Sequence, residues 1–249
     1  MTFPKFYFGI TGRSGYEHVV PATVPVIVSA MSLYSFKARP SRRWPDWALD
    51  SGGFVALRSA GDYPFSPDDY LAAVAMWRPV WAASMDYPCE PELCATTNHT
   101  PSERIAATVE LATYLCARSD RIVPVLQGYT AEEYADCWRG LPRTGRVAIG
   151  SLCRRQGLPE IRELVRRLRE LDLPPRRHGF GVKLTALRYP DVASFLTSVD
   201  SNAWEYMERR ERQRLLLGLP LYDRLRWTFA HYQRQVAALE ARPRQGVLL

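Results

Sequence analysis

The sequence predicts a parallel α/β fold, a barrel of the (β/α)8 type with helices packed outside it at the C-terminal end. Three observations predict it. Short apolar, β-rich runs alternate with helical patterns along the chain, as in βαβ units around a parallel sheet buried on both faces. Eight such runs fit within 249 residues, which suits a TIM barrel. Six of the runs end, one after another, in polar residues. A doubly wound open sheet is the competitor, but no G-x-G-x-x-G follows the first run, which weakens its dinucleotide-binding version.

The strands are placed near 5–10 (KFYFGI), 25–30 (PVIVSA), 47–51 (WALDS), 81–87 (WAASMDY), 121–128 (RIVPVLQG), 146–152 (RVAIGSL), 178–184 (HGFGVKL) and 195–200 (FLTSVD). The first two connections are irregular, and helical patterns cover 66–77, 100–119, 130–138 and 158–171. Ser66 before Pro67, and Thr100 before Pro101 with Glu103 following, are helix-start signatures. One domain is expected over 1–249, with the barrel to about 205 and an Arg-rich helical tail over 206–249.

The composition, 47% hydrophobic and 24% charged, is that of a globular protein with a sizeable core. No apolar run approaches the roughly 20 residues of a membrane helix. The start, MTFPKFYFGI, lacks a secretory pattern. A cytoplasmic protein without membrane contact is expected. Cys89, Cys94, Cys116, Cys137 and Cys153 are scattered without a C-x-x-C pair, and Cys89, Cys94 and His99 are too loosely spaced for a zinc centre. No metal and no cofactor is expected.

The net charge of +7, from 33 Lys and Arg against 26 Asp and Glu, is mostly arginine in the second half. Much of 153–180 reads as a solvated helix face with Glu/Arg pairs. The clustered arginines also suit a polyanionic partner.

The stretch WPDWALDSGGFVAL (44–57) ends an apolar run on Asp50 and follows it with Ser51, Gly52 and Gly53. It reads either as a plain Asp-Ser-Gly turn or as an acid at a strand mouth, with glycines letting a substrate approach the main chain. In a barrel the strand C-termini form the active site. There the sequence places Asp50, Asp86, Gln127-Gly128, Gly150-Ser151, Lys183 and Asp200-Ser201-Asn202. Paired carboxylates suit cleavage of a glycosidic bond, one attacking the anomeric carbon and the other moving a proton. A further Asp and a Gln suit the edge of a nucleobase. His99 and His178 have no obvious partner, so a Ser/His/Asp triad finds no support.

LDSGGF (49–54), SMDYP (84–88), VLQGY (125–129), AIGSL (148–152) and SVDSNAW (198–204) resemble, in order and spacing, the tRNA-guanine transglycosylases. The likeness is strongest to their relatives that insert 7-deazaguanines into DNA. TPSERIAATVE (100–110) resembles the helix after the fourth strand of that family, and the likeness spans roughly 45–205. The resemblance implies that Asp200 is the nucleophile at the sugar C1′ and Asp50 the general acid/base. It implies that Asp86 and Gln127 bind the base edge, with polar backbone from Gly150, Ser151 and Leu152. Phe54 or Tyr87 would stack on a ring or belong to the core, and Lys183 would touch a phosphate or face solvent.

The chain departs from the tRNA enzymes in three places. It has no C-x-C-x-x-C zinc site, their GGLAVGE-type loop is GSLCRRQ here with Ser151 and Arg154, and SNAWEYMERRER follows the nucleophile position. These departures point to DNA rather than tRNA as the partner, with a free modified nucleobase as the second substrate. Two alternatives follow. One is a DNA glycosylase that leaves an abasic site, in defence against phages carrying modified bases. The other is an inactive barrel that binds nucleic acid. Either active version needs the base flipped out or single-stranded. Oligomeric state is not legible.

Overall fold

The structure, a computed structural model, describes residues 3–10, 18–36, 44–152, 159–211 and 218–242. Nine parallel strand segments form one sheet: β1 (Lys5–Ile10), β2 (Val26–Ser29), β3 (Trp47–Asp50), β4 (Trp81–Ala83), β5 (Ile122–Val123), β6 (Val125–Leu126), β7 (Arg146–Ile149), β8 (Arg176–Gly179) and β9 (Ser198–Ser201). Their order, β5-β4-β3-β2-β1-β9-β8-β7-β6, begins and ends on the two sides of Pro124. β5 and β6 are therefore one strand interrupted by a residue without an N–H, and the chain itself closes the ring. This is the expected eight-stranded barrel. At the interruption Ser84 Oγ accepts from the Val125 N–H at 3.0 Å, and the Pro124 carbonyl accepts from Ala148 at 3.0 Å.

Helices surround the sheet: α1 (Ala30–Phe36), α2 (Gly53–Ala60), α3 (Pro67–Trp77), α4 (Pro91–Thr97), α5 (Pro101–Cys116), α6 (Ala131–Gly140), α7 (Pro159–Leu168), α8 (Pro190–Phe195), α9 (Ala203–Glu211) and α10 (Leu221–Glu240). The signatures at Ser66 and Thr100 form capping boxes, each side chain accepting from the third helical N–H while Asp69 and Glu103 accept from the cap N–H. Thr130 does the same with Glu133.

Pleat alternation sorts side chains between barrel interior and helical layer. On β1, Tyr7 enters the interior beside Ile27, Ala48, Trp81 and Ala83. Phe6 and Phe8 point outward, against Tyr232 and against Phe229 and Tyr232 of α10. Trp204 of α9, fully buried, donates from Nε1 to the Gly9 carbonyl at 2.8 Å. The C-terminal helices thus cover β1 and β9 from outside.

Several boundaries differ from the sequence reading. The seventh strand is Arg176–Gly179 rather than 178–184. Gly181 adopts φ +61, a left-handed conformation that ends an extended run, and Lys183 is exposed beyond the strand. Residues 195 and 196 precede the last strand, because Pro190 starts α8 and the helix runs to Phe195. Residues 84–87 leave the sheet after Ala83. α1, α2, α4 and α8 were not legible as helices; each has only six to eight residues, too few to display a helical period.

Candidate active site

Asp50 closes β3 and Asp200 lies within β9, three strands away round the barrel. Asp86 follows β4 and Gln127 follows β6. All four belong to the C-terminal ends of parallel strands, which share one rim. The carboxylates are close enough to act on one another. Burial, and then the charges of Asp86 and Asp200, push the Asp50 carboxyl up to about 8, against the opposing Gly52 and Ser51 N–H groups. Asp86 is pushed up to about 6, again chiefly by burial, while hydrogen bonds from Ser51 and Gln127 hold it down.

Asp86 anchors a buried polar network. Its Oδ1 accepts from Ser51 Oγ at 2.6 Å and its Oδ2 from Gln127 Nε2 at 2.5 Å. The Tyr63 hydroxyl donates to the Asp86 carbonyl at 2.9 Å and accepts from the Asp86 N–H at 3.1 Å. Gln127 Oε1 accepts from Ser151 Oγ at 2.9 Å, so Asp86 and Ser151 together fix which way the carboxamide faces.

Glycine explains much of the local sequence. Gly52 has φ +79, and a Cβ there would lie 2.5 Å from Ser29 Oγ. A Cβ on Gly53 would lie 2.5 Å from the Asp86 carbonyl oxygen and 2.6 Å from the Tyr63 hydroxyl. These glycines admit protein neighbours and let α2 start directly after the acid. The expectation that they bare the main chain to a substrate gives way to close packing. At Gly150 a Cβ would lie 2.2 Å from Gln127 Nε2, so this glycine makes room for the carboxamide. Its own polar groups are engaged, the N–H with the Leu126 carbonyl at 3.0 Å and the carbonyl with the Tyr134 hydroxyl at 2.7 Å. Ser151 sits at φ +54, where a non-glycine residue is strained by about 1–2 kcal/mol. Leu152 is core.

The other predicted residues lie outside this network. Phe54 lines a cleft of about 570 Å³ with Leu57, Arg58 and Thr97, between α2 and α4. Tyr87 donates to Asp62 Oδ1 at 2.8 Å and lines a separate cavity of about 460 Å³ with Tyr63 and Phe65. Arg154, Arg155 and Cys153 lie outside the described residues.

Sequence reasoning missed Ser51, Tyr63 and His178. The expectation that His178 has no partner is corrected. It is fully buried inside the barrel, with Nε2 3.2 Å from Asp200 Oδ1 and Nδ1 2.9 Å from Ser198 Oγ. Pairing of His178 with Ser198 across β8 and β9 brings them together, and the two-residue repeat puts Asp200 on the same face as Ser198. The Gly181 N–H also donates to Asp200 Oδ1, at 2.9 Å.

On α7 the arginines form the expected solvated face. Arg166 pairs with Glu163 and Glu170, and Arg162 with Asp191. Among the described residues no group of three or more His, Cys, Asp or Glu is placed to hold a metal ion, and no helix is long and apolar enough to cross a membrane.

No curated protein matches the chain. The family model of DpdA, DeoxyPurine in DNA protein A, matches residues 4–234, from the start of the barrel into α10. With a parallel barrel carrying acids on its rim and a family match along nearly its whole length, the chain belongs to the DpdA family of 7-deazaguanine DNA modification.

Proposed function

We propose that this protein cleaves the N-glycosidic bond of a base in DNA and exchanges the base for a free 7-deazaguanine-type base. Family membership supports a transglycosylase acting on DNA. The observation that carries the mechanism is that Asp50, whose carboxyl burial and neighbouring charge raise to about 8, shares the rim with Asp200, which the Gly181 N–H and His178 hold in place. A carboxyl that keeps its proton at neutral pH suits the role of general acid.

A base flipped into the mouth meets Asp50 in its protonated form at neutral pH. An Asp200 oxygen attacks C1′, and the electrons of the C1′–N bond pass to the departing base. Asp50 delivers its proton to that base. The glycosyl-enzyme ester is then resolved in the opposite sense. Asp50, now ionised, takes a proton from the incoming base, whose nitrogen bonds to C1′ and expels Asp200. Asp86 and Gln127 read the base edge, with Ser151 orienting Gln127. Lys183, exposed past β8, serves in this reading as a contact for a phosphate. The arginine excess supplies sequence-independent affinity for the DNA backbone.

The test uses ordinary, 7-deazaguanine-containing and hypermodified phage DNA, with and without free 7-deazaguanine base, analysed by mass spectrometry and for abasic sites. Incorporation dependent on the free base is expected, and Asp200→Ala should abolish it while DNA binding survives. Abasic sites without incorporation would replace exchange by excision. Full activity in Asp200→Ala would overturn the assignment of the nucleophile.

A further inference from the structure

The two oxygens of Asp200 have different surroundings. Oδ1 faces the Gly181 N–H at 2.9 Å and His178 Nε2 at 3.2 Å. Among the described residues no donor reaches Oδ2. A carboxylate has no proton to give, so the hydrogen bond fixes the proton of His178 on Nε2. Nδ1 then accepts from the Ser198 hydroxyl at 2.9 Å. Tyr7, Trp81 and Phe180 surround the ring edge-on, with centroids 5.9, 4.8 and 4.9 Å away, and hold its plane. A fully buried imidazole with both nitrogens engaged thus underlies one oxygen of a carboxylate on the rim.

We propose that His178 is a positioning residue which, with the Gly181 N–H, anchors Asp200 Oδ1 and leaves Oδ2 as the oxygen that bonds to C1′. The proposal rests on the reading of Asp200 as nucleophile. In the first step an Oδ2 lone pair forms the C1′–O bond as the C1′–N electrons leave with the base, and Oδ1 becomes the ester carbonyl. In the second, the incoming nitrogen bonds to C1′ and the C1′–Oδ2 electron pair returns to the carboxylate. Negative charge then rebuilds over Oδ1, where two donors already point. Donors aimed at developing charge stabilise the transition state in which it develops. His178 therefore assists breakdown of the covalent intermediate more than its formation.

The experiment measures base release and incorporation of a free 7-deazaguanine base, each under single turnover, and the covalent protein–DNA adduct on denaturing gels, for the whole chain and three variants. His178→Phe keeps an aromatic ring and removes the donor. His178→Gln restores an N–H at the Nε2 position. Asp200→Ala controls for the nucleophile. His178→Phe should turn over about 10- to 100-fold more slowly, the usual cost of losing a partner that orients or stabilises a reacting group. Its adduct fraction should rise, and His178→Gln should recover most of the rate. Wild-type kinetics in His178→Phe, or equal slowing in both variants without adduct, would overturn the proposal. If His178→Phe does not fold, the imidazole 15N shifts of the wild-type protein decide. A proton on Nε2 is expected, and a proton on Nδ1 alone refutes the arrangement. Activity in Asp200→Ala would instead condemn the underlying reading, whatever His178 does.

Discussion

Replacing Asp50 by Asn should abolish base exchange and at the same time stabilise the fold, by an amount that grows with pH. The folded chain holds the Asp50 proton up to about 8, whereas the unfolded chain loses it near the ordinary 3.8. Below 3.8 both states are protonated, and the group contributes no pH dependence. Between 3.8 and about 8 the folded state binds the extra proton, so stability falls as pH rises. Above about 8 both states are ionised and the penalty is complete. The interval from 3.8 to pH 7 corresponds to about 4 kcal/mol at ~1.4 kcal/mol per pH unit. Relaxation and water at the open side of the rim reduce it to roughly 2 kcal/mol. Asn keeps an oxygen for the Ser51 and Gly52 N–H groups and sets no charge against Asp86 and Asp200. For a chain of this size the melting temperature should rise by about 4–8 °C at pH 7. Melts followed by circular dichroism at pH 4, 6, 7 and 8.5 test it. The two proteins should coincide near pH 4 and separate above it. A constant gap across pH, or a less stable variant at pH 8.5, would refute the burial argument.

The same carboxyl sets the pH dependence of chemistry: single-turnover base release should decline above about pH 8 as Asp50 loses its proton, read from a pH–rate profile. Ser151→Gly should leave stability within about 1 kcal/mol, because relief of the strained φ offsets one lost hydrogen bond. It should weaken discrimination between guanine and 7-deazaguanine several-fold by freeing the Gln127 carboxamide, measured from relative rates on the two DNAs. Arg104, buried on α5, donates to the carbonyls of Pro88 and Leu93 and to the Thr97 hydroxyl. Arg104→Met should cost about 3 kcal/mol in urea denaturation, by leaving those acceptors unpaired.

The parallel barrel was legible because strands buried on two faces read as apolar runs and because their polar C-terminal residues recur. Asp50, Asp86, Gln127 and Asp200 were legible for the same reason, since each breaks an apolar run. Ser51 and Tyr63 were not. A serine after an aspartate is ordinary turn chemistry, and Tyr63 reaches Asp86 from a loop without periodicity. His178 was hidden more deeply, because its partners depend on the register of β8 against β9, which no local pattern encodes. Lys183 lies past the end of β8 rather than at its last residue, since the turn at Gly181 comes earlier than the apolar run suggests. Phe54 and Tyr87 were plausible stacking partners by type alone. Their side chains line two clefts, Phe54 one between α2 and α4 and Tyr87 one beside Asp62.

The seam between β1 and β9 has a consequence for biosynthesis. Asp50 belongs to segments made early, whereas Asp200 lies on the strand that completes the cylinder and is backed by Phe229 and Tyr232 through Phe6 and Phe8. A nascent chain still lacking those aromatic rings has the outer face of its first strand uncovered on that side, so the packing behind β1 is complete only once the last helix has left the ribosome. A mutation that loosens α10 should therefore weaken the support of the barrel wall without touching any group on the rim.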